Sequence, residues 1–362
     1  MKIKISKISG HFFQCFSEVT YNVHSGMLFG NSCSGKTTLL RTIPACFINA
    51  GLDGKKLSPL SPDANTGWVK IEYTADGEYH EVYRAWDRTS TGFHSSSSLC
   101  KTPVKSLFLA IANPLYVPSL ENADRVEFLV DYLYHNSTDE LVDVLPDDVS
   151  REVYEFADEF GKVDASKLRN VAKMLKTNIK DLSGRRLTLD AQVVILENMN
   201  IEHNEISAEL DSVIDEIETK TATLRIIETI NGYLLSNAIK AINEDLHDAK
   251  FSEDGKLFYG ETPIDQLASS EKLDCGLDIS NATAGRYEFV PPTLIDNATA
   301  FGHKEVDIST YPNLSQIITA SFAEVDLCEY GLDNLYALDR SWKRSIEQTF
   351  RPEVVIEMIP II

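Results

Sequence analysis

Eight consecutive residues near the N-terminus have the types and spacing of a phosphate-binding loop. They run from Gly30 to Thr37 and fit G-x-x-x-x-G-K-[ST] at every defined position. Glycines let backbone N–H groups turn toward phosphate oxygens, the lysine reaches the terminal phosphates, and the threonine hydroxyl is a ligand for Mg²⁺. The sequence therefore predicts binding of a nucleotide such as ATP with Mg²⁺. The predicted cofactor-binding residues here are Gly30, Asn31, Ser32, Cys33, Ser34, Gly35, Lys36, Thr37 and Thr38.

The segments on either side of this loop are of the kind that would position it. Gly26–Phe29 is a short apolar run that reads as a strand, and residues 38–43 have the composition of a helix. A helix N-terminus placed after the loop offers backbone N–H groups and the positive end of the helix dipole to an anion. Strand, loop and helix thus follow one another in the order that phosphate binding requires.

A nucleotide site of this kind needs an acidic residue after a later apolar strand, where it holds the metal. Residues 290–296 read Val-Pro-Pro-Thr-Leu-Ile-Asp, so Asp296 is the best candidate. We therefore predict Lys36 and Asp296 as catalytic residues and Thr37 and Asp296 as metal ligands. The two prolines favour the edge or the start of a strand, and the alternative is a plain surface turn at Asp296.

The composition restricts the class of protein. The chain has 362 residues, 43% of them apolar, with 34 Lys and Arg against 55 Asp and Glu, for a formal net charge of −21. Phosphate neutralisation needs clustered basic residues, so a uniformly basic nucleic-acid binder is excluded. The six cysteines form no C-x-x-C pair, which favours reduced thiols. No apolar run approaches the roughly 18 residues of a membrane helix, so we expect a cytoplasmic protein without membrane contact.

Strand-like segments occur at both ends of the chain and predict an α/β fold. Residues 2–9 alternate polar and apolar side chains, and Ala75-Asp76-Gly77 is a turn signal between strand-like residues 67–73 and 78–86. Strand character returns late in the chain. The later segments are residues 256–259, 294–296 and 315–320.

The middle of the chain has a helical period instead. A heptad seam runs through Leu168, Ala172, Leu175, Ile179 and Leu182, and a second seam through Ile206, Leu210, Val213, Ile217, Leu224, Ile227 and Leu234. If the chain reverses at residues 198–204, the arms are residues 165–197 and 203–235, each roughly 50 Å long at 1.5 Å per residue. Equal arms suit an antiparallel hairpin. The alternative turn is Ser183-Gly184, which would make the arms unequal.

Charge is distributed unevenly between these arms. Residues 162–186 hold eight Lys and Arg, whereas residues 196–230 hold two Lys and Arg and nine Asp and Glu. One interpretation is that the arms face each other with complementary charge; the other is that the basic arm contacts DNA. The basic residues are Lys162, Lys167, Arg169, Lys173, Lys176, Lys180, Arg185 and Arg186.

A phosphate-binding loop near residue 30 and a helical hairpin between two α/β segments together form the layout of one family. The sequence resembles the SMC, RecF and RecN group of ABC-type ATPases, as a small phage-type member with a short coiled coil. The resemblance implies a split ABC-type P-loop ATPase head with an inserted antiparallel coiled-coil hairpin. Residues 1–155 and 251–362 would be the halves of the head, and residues 156–250 the insertion.

The resemblance also implies a signature loop that binds the ATP of a second, face-to-face head. Residues 267–273, Leu-Ala-Ser-Ser-Glu-Lys-Leu, stand where the family has L-S-G-G-E-K. The predicted nucleotide contacts are Ser269, Ser270 and Glu271. The family serine falls on Ala268, and the glycine pair is replaced by serines.

Three further positions depart from the family pattern. Asn297 stands where a general-base glutamate usually follows the aspartate, and the next acid is Glu305. No glutamine occurs between Gln14 and Gln192, so Asn113 or Asn122 would have to replace the glutamine that senses the metal. Residues 315–320 end at Ser321 instead of a switch histidine, and the nearest histidine is His303.

Two functions follow from these features. The first is an ATP-dependent dimerising clamp or switch in DNA repair, recombination or genome maintenance that hydrolyses ATP slowly and acts with a nuclease or other effector. DNA contact would then fall on the stripe from Lys162 to Arg186. The second is an ATP-gated scaffold or regulator, without DNA, in a phage or mobile-element defence or counter-defence complex. The net acidity favours the second, and the layout favours the first.

Overall fold

The computed structural model describes residues 1–23, 26–29, 35–135, 151, 165–199, 201–296, 306, 308–321 and 353–355. The chain forms two compact units. One consists of Met1–Phe128 together with Ile242–Ile362, and the other is Leu129–Ala241. The first unit therefore contains both ends of the chain.

A six-stranded, mainly antiparallel sheet belongs to the first unit. Its strands are β1 (Ile3–His11), β2 (Glu18–Asn22), β4 (Thr66–Ala75), β5 (Glu78–Thr89), β6 (Gly92–Ser97) and β12 (Glu353–Val355), in the order β12-β2-β1-β4-β5-β6. The alternation expected near the N-terminus is present, because Ile3 and Ile5 are buried whereas Lys2, Lys4 and Ser6 are exposed. After Ile5 the alternation of buried and exposed side chains shifts by one residue. The register of β1 with β4 changes between Ile5 and Lys7, so that Ile8 is buried.

The predicted β4–β5 hairpin is confirmed. Ala75 pairs with Glu78, and the two residues between them have positive φ, 53° at Asp76 and 89° at Gly77. Positive φ at both central residues is the geometry of a two-residue type I′ turn, which Asp-Gly favours.

A three-stranded parallel sheet carries the segments that flank the predicted site. Its strands are β3 (Gly26–Phe29), β10 (Thr293–Ile295) and β11 (Ile317–Ser321), in the order β10-β11-β3. All three are parallel, so the residues that follow β3 and β10 leave the same edge of the sheet. Gly30–Ser34 lie outside the described residues, but Asp296 follows β10 directly.

Seven α-helices, two short 3-10 helices (Ile264–Gln266 and Ile308–Thr310) and a small third sheet make up the other described elements. The helices are α1 (Lys36–Ile48), α2 (Lys105–Ala112), α3 (Tyr116–Ser119), α4 (Asn122–Tyr134), α5 (Ala165–Asn198), α6 (Asn204–Asp245) and α7 (Ser269–Arg286). The third sheet pairs β7 (Ala249–Phe251), β8 (Leu257–Tyr259) and β9 (Thr262–Pro263). No helix in these ranges is both long and apolar enough to span a membrane.

Helix α1 is anchored in the core of the first unit. The ring of Phe47 lies 5.7 Å from that of Tyr73, 5.7 Å from Phe108 and 5.4 Å from Phe289. From β5, the buried Arg84 donates hydrogen bonds to the carbonyls of Cys46 (2.8 Å) and Phe47 (3.4 Å). A cation near the last carbonyls of a helix complements its dipole, and α1 has no basic residue of its own there.

The second unit contains the predicted helical hairpin. Lys176 pairs with Glu228, and Arg185 pairs with Glu209, so the partner in α6 moves back toward the N-terminus as α5 advances. The helices are therefore antiparallel, and the chain reverses between the end of α5 at Asn198 and the start of α6 at Asn204. Ser183-Gly184 is not the turn: it lies inside α5, and Ser183 Oγ donates to the carbonyl of Ile179 at 2.7 Å.

The seams predicted from the heptads are half buried and half partly exposed, and the two arms are unequal. Leu168, Ala172 and Leu175 are buried in α5, and Val213, Ile227 and Leu234 in α6. The expectation of equal arms is wrong, because α5 has 34 residues and α6 has 42. Helix α6 continues past residue 235 with Ala238 and Ile242 fully buried.

Candidate functional site

Gly35 sets the backbone geometry where the phosphate-binding loop enters α1. It has φ +89° and lies at the N-cap position, a left-handed conformation that favours glycine. A Cβ at this residue would lie 2.7 Å from Cε1 of Phe16. The close contact with the Phe16 ring is a second reason for glycine, and the sequence pattern gave no sign of it.

Lys36 and Thr37 are the first two residues of α1. The first turn contains no acidic residue, so the positive end of the helix dipole is not neutralised by a side chain of its own. Lys36 is only 5% exposed. Thr38 is held from the neighbouring loop, since Cys15 Sγ lies 3.3 Å from Thr38 Oγ1.

Thr37 and Asp296 come together across the parallel sheet. The Thr37 hydroxyl donates a hydrogen bond of 3.0 Å to Oδ1 of Asp296. A plain surface turn at Asp296 is therefore the wrong interpretation: this carboxylate lies beside the start of α1. Hydroxyl and carboxylate oxygens at hydrogen-bond distance are the type of donor set that Mg²⁺ prefers.

A cavity of about 560 Å³ borders Asp296. Basic side chains contribute to its lining, together with polar groups and two carboxylates. Its charged and amide-bearing residues are Gln14, Arg41, Asp53, Lys55, Lys56, Asn113 and Asp296. Arg41 lies one helical turn after Thr37, on the same side of α1. The cavity thus joins the Asp296 carboxylate to the basic side chains of Arg41, Lys55 and Lys56.

Asn113 and Asn122 differ in their relation to this cavity. Asn113 lines it; its amide donates to the carbonyl of Leu52 at 2.9 Å, and its side-chain oxygen accepts the N–H of Leu115 at 3.1 Å. Asn122 instead donates to the carbonyl of Asp254. Of the two, Asn113 is therefore the asparagine that lies beside the candidate site.

Contacts from α7 and β10 fix the position of Asn113. A Cβ on Gly276 would lie 1.8 Å from the carbonyl oxygen of Pro114, so only glycine lets α7 pack against this loop. Ser280 Oγ donates to the carbonyl of Ala110 at 2.7 Å, and Thr293 Oγ1 donates to that of Ile111 at 3.1 Å. These contacts lie far apart in sequence and match no motif, so sequence reasoning missed them.

The predicted signature loop is the start of α7. Ala268 is the N-cap and provides no side-chain acceptor, whereas the carboxylate of Glu271 accepts the N–H of Ala268 at 2.8 Å. Ser269 is exposed, and Ser270 is half-buried. The side chain of Glu271 thus caps its own helix, and Ser269 and Ser270 supply the hydroxyls of this turn.

Several residues discussed in the sequence lie outside the described ranges. These are Gly30, Asn31, Ser32, Cys33, Ser34, Asn297, His303 and Glu305. Ser321 ends β11.

Most of the basic residues on α5 are paired within the hairpin unit. Four of them form ion pairs: Arg169 with Asp131, Lys176 with Glu228, Arg185 with Glu209 and Arg186 with Asp190. Among the described residues, no ion pair involves Lys173 or Lys180, and Lys162 lies outside that part of the chain. Two of the four partners, Glu228 and Glu209, lie on α6, so part of the charge that could attract DNA is compensated between the arms.

Comparison with known proteins gives matches of fold. No family model matches the sequence, and neither does any curated protein. The structure is similar to the recombination mediator RecF with ATP (11% identity, 90% of this chain and 93% of that chain, TM-score 0.46). It is also similar to the Smc head with an extended coiled coil, bound to the C-terminal domain of ScpA, from Pyrococcus furiosus (13% identity, 90% of this chain and 91% of that chain, TM-score 0.42). A third match is the SMC head domain from Thermotoga maritima (11% identity, 94% of this chain and 95% of that chain, TM-score 0.33).

These matches fall on the RecF and SMC group that the sequence resembles. At such identities and TM-scores they transfer no ligand, activity or partner to this chain.

Proposed function

We propose that this protein is a Mg²⁺-dependent ATP-binding switch of the SMC and RecF type, with slow ATP hydrolysis. The observation that carries the proposal is the 3.0 Å hydrogen bond between Thr37 and Asp296. It connects the last residue of the phosphate-binding motif to the acid at the end of β10. Residues 1–155 and 251–362 are proposed as the halves of the ATPase head.

The described residues fit a nucleotide with its metal. Thr37 and Asp296 would hold Mg²⁺ through oxygen atoms, and Lys36 would bind the terminal phosphates beside the N-terminus of α1. When bound, the metal supplies positive charge that neutralises the phosphate oxygens. Arg41, Lys55 and Lys56 add positive charge in the adjoining cavity.

The arrangement around Asp296 supports slow turnover. Hydrolysis needs an acceptor within hydrogen-bond reach of the attacking water, but Asp296 already accepts from Thr37. Among the described residues lining the cavity, Asp53 is the other carboxylate, and its Oδ1 accepts the N–H of Lys55 at 3.1 Å. We expect turnover well below the roughly 10 s⁻¹ that is typical of enzymes.

Two heads are proposed to engage through ATP. Ser269 and Ser270 lie at the start of α7, a helix N-terminus suited to phosphate. In this proposal they contact the nucleotide of a second copy. Light scattering should show a rise in mass when ATP and Mg²⁺ are added to the wild type. The rise should be absent in Lys36→Ala, and a rise of equal size in that variant would overturn ATP-driven engagement.

The role of the switch has two candidates. The first is genome maintenance with DNA and a nuclease or other effector, which the layout favours. The second is an ATP-gated scaffold without DNA, and the four ion pairs on α5 favour it because they compensate the charge of the basic arm. A salt-sensitive mobility shift of DNA that is lost when Lys173 and Lys180 are both changed to Glu would support the first. Absence of any shift at low salt would support the second.

A further inference from the structure

Strand β5 is longer than the strand that pairs with it at the edge of the six-stranded sheet. β5 has 12 residues and β6 has six, and their pairing ends where Arg84 lies opposite Ser97. Residues 78–82 of β5 therefore pair with β4 on one side and have no described strand on the other. We call residues 78–82 the open edge.

The backbone groups of the open edge have a direction that follows from the neighbouring pairs. The N–H of Ser98 donates to the carbonyl of Tyr83, and the N–H of Tyr83 donates to Oγ of Ser98, both at 2.9 Å. The backbone groups of Tyr83 thus face away from β4. Because these groups alternate sides along a strand, the N–H and carbonyl groups of Tyr79 and Glu81 also face away from β4. In the described chain these four groups have no hydrogen-bond partner.

The chain that follows β6 leaves the edge uncovered. It bends at Ser98, and the next residue, Leu99, packs against the apolar core of the first unit. Along the open edge, Tyr79 is 61% exposed, and Glu78 and Glu81 are exposed as well. A row of accessible and unpaired backbone groups is a template for the addition of another strand.

The side chains of the open edge determine which strand would fit. Val82 is fully buried on the inner face, whereas Tyr79 and Glu81 are exposed on the outer face. Directly opposite side chains on one face contact each other, so an apolar residue fits beside Val82 and a basic residue beside Glu81. Glu81 Oε2 lies 2.7 Å from Nζ of Lys70, which leaves Oε1 without a described partner. Glu78 adds a second carboxylate, and no ion pair involves it in the described part of the chain.

The same carboxylates argue against a second copy of this chain as the occupant. Two open edges paired with each other would gather Glu78 and Glu81 of both copies along one short strand pair, where like charges are destabilising. Each copy also has a net charge of −21. Charged residues on an edge strand are one means by which proteins prevent self-pairing. A basic strand from another protein meets no such repulsion.

We propose that the open edge of β5 binds an extended segment of a partner protein, in which apolar and basic residues alternate, by strand addition. The segment would form up to four backbone hydrogen bonds with Tyr79 and Glu81, along about 17 Å at roughly 3.4 Å per residue. The backbone supplies affinity, and the side chains beside Val82 and Glu81 supply specificity. The contact goes beyond the proposed function, because it requires neither ATP nor a second copy.

A pair of synthetic peptides separates strand addition from charge attraction. The first is a fluorophore-labelled Lys-Val-Lys-Val-Lys with blocked ends, titrated with the full-length chain without nucleotide and followed by fluorescence anisotropy. The second has the backbone nitrogen of each lysine methylated, which removes the N–H groups that would face Tyr79 and Glu81 and keeps the charge. It should bind at least about tenfold more weakly. Equal affinity for the two peptides would overturn strand addition.

A backbone variant of the chain provides the second test. Glu81→Pro removes an N–H that faces away from β4, a position that tolerates proline in an edge strand. It should bind Lys-Val-Lys-Val-Lys at least about tenfold more weakly than Glu81→Gln, the matched control that loses the charge and keeps the N–H. Equal binding by the two variants, as expected for a peptide on the outer edge of β6, would overturn the proposal.

Hydrogen exchange of the wild type tests the same contact without a substitution. Saturating Lys-Val-Lys-Val-Lys should slow exchange of the Tyr79 and Glu81 amides by at least about tenfold, because they become hydrogen-bonded. The Val82 amide is the internal control: it faces β4, where Val82 pairs with Ile71, and its exchange should change less. Unchanged exchange at Tyr79 and Glu81 would overturn the proposal, including the case in which Glu81→Pro does not fold.

Discussion

The hydroxyl of Thr37 donates to the carboxylate of Asp296 at 3.0 Å, across 259 positions of sequence. The contact exists because β3 and β10 are parallel strands of one sheet, and their carboxyl ends lie at the same edge. It joins the end of the phosphate-binding motif to the predicted metal-ligand acid.

Thr37 and Asp296 should act as one unit in metal-dependent nucleotide binding. Thr37→Val and Asp296→Asn should each weaken ATP binding in the presence of Mg²⁺ by at least about tenfold. The double variant should lose less binding free energy than the sum of the two single losses, because both side chains hold the same metal ion. Thr37→Ser keeps the hydroxyl and should bind nearly as the wild type does. Titration calorimetry with and without a chelator measures the effect. Fully additive losses, or equal losses without Mg²⁺, would contradict the shared role.

Gly276 should tolerate no side chain. Its Cβ would overlap the Pro114 carbonyl oxygen at 1.8 Å, so Gly276→Ala should destabilise by about 1–3 kcal/mol or more. Gly232→Ala is the control, because Gly232 is also inside a helix but has open space around it; it should stabilise by about 0.5–1 kcal/mol. Urea unfolding compares the two. A neutral Gly276→Ala would show that α7 does not press on the Asn113–Pro114 loop.

Arg84 should stabilise the C-terminus of α1. It is 7% exposed, and burial lowers its pKa. Arg84→Met leaves the Cys46 and Phe47 carbonyls without this donor and should cost about 2–3 kcal/mol. Lys70→Met removes ion pairs to Glu72 and Glu81 at the surface and should change stability by less than about 1 kcal/mol. Equal effects of the two substitutions in urea unfolding would argue against this role for Arg84.

The sequence predicted the elements whose signals are local. The phosphate-binding motif, the Asp76-Gly77 turn and the heptads each lie within a short window, and the strand and helix that flank the motif, the turn and the helical hairpin are present. Asp296 could be named because it follows an apolar run. The close approaches of Phe16 to Gly35 and of Gly276 to Pro114 could not be predicted, because they join segments that are brought together only by folding. The continuation of α6 beyond residue 235 was missed for the same reason: burial of Ala238 and Ile242 sustains it.

Stability should fall at alkaline pH through the buried thiols. Burial raises the pKa of Cys46 from 9.0 to about 12, and that of Cys275 likewise to about 12. Between pH 9 and pH 12 the thiols of the unfolded chain have released protons that the folded chain retains. The free energy of unfolding therefore falls as pH rises, by about 1.4 kcal/mol per pH unit for each thiol. Below pH 9 the thiols are protonated in both the folded and the unfolded chain, so none of this stability is lost.

Serine substitution isolates this effect from the other titrating groups. Cys46→Ser should flatten the decline in the free energy of unfolding between pH 9 and 12. Cys100→Ser is the control, because Cys100 is exposed, and it should leave the slope as it is. An identical slope in wild type and Cys46→Ser would contradict a protonated, buried Cys46.

The central claim is that the chain binds ATP through its phosphate-binding motif with Mg²⁺. Equilibrium titration of ATP into the wild type and Lys36→Ala, each with Mg²⁺ and with a chelator, tests it most directly. The account predicts binding by the wild type that Mg²⁺ strengthens, and a loss of at least about a hundredfold in Lys36→Ala. No binding by the wild type, or equal affinity in Lys36→Ala, would contradict it.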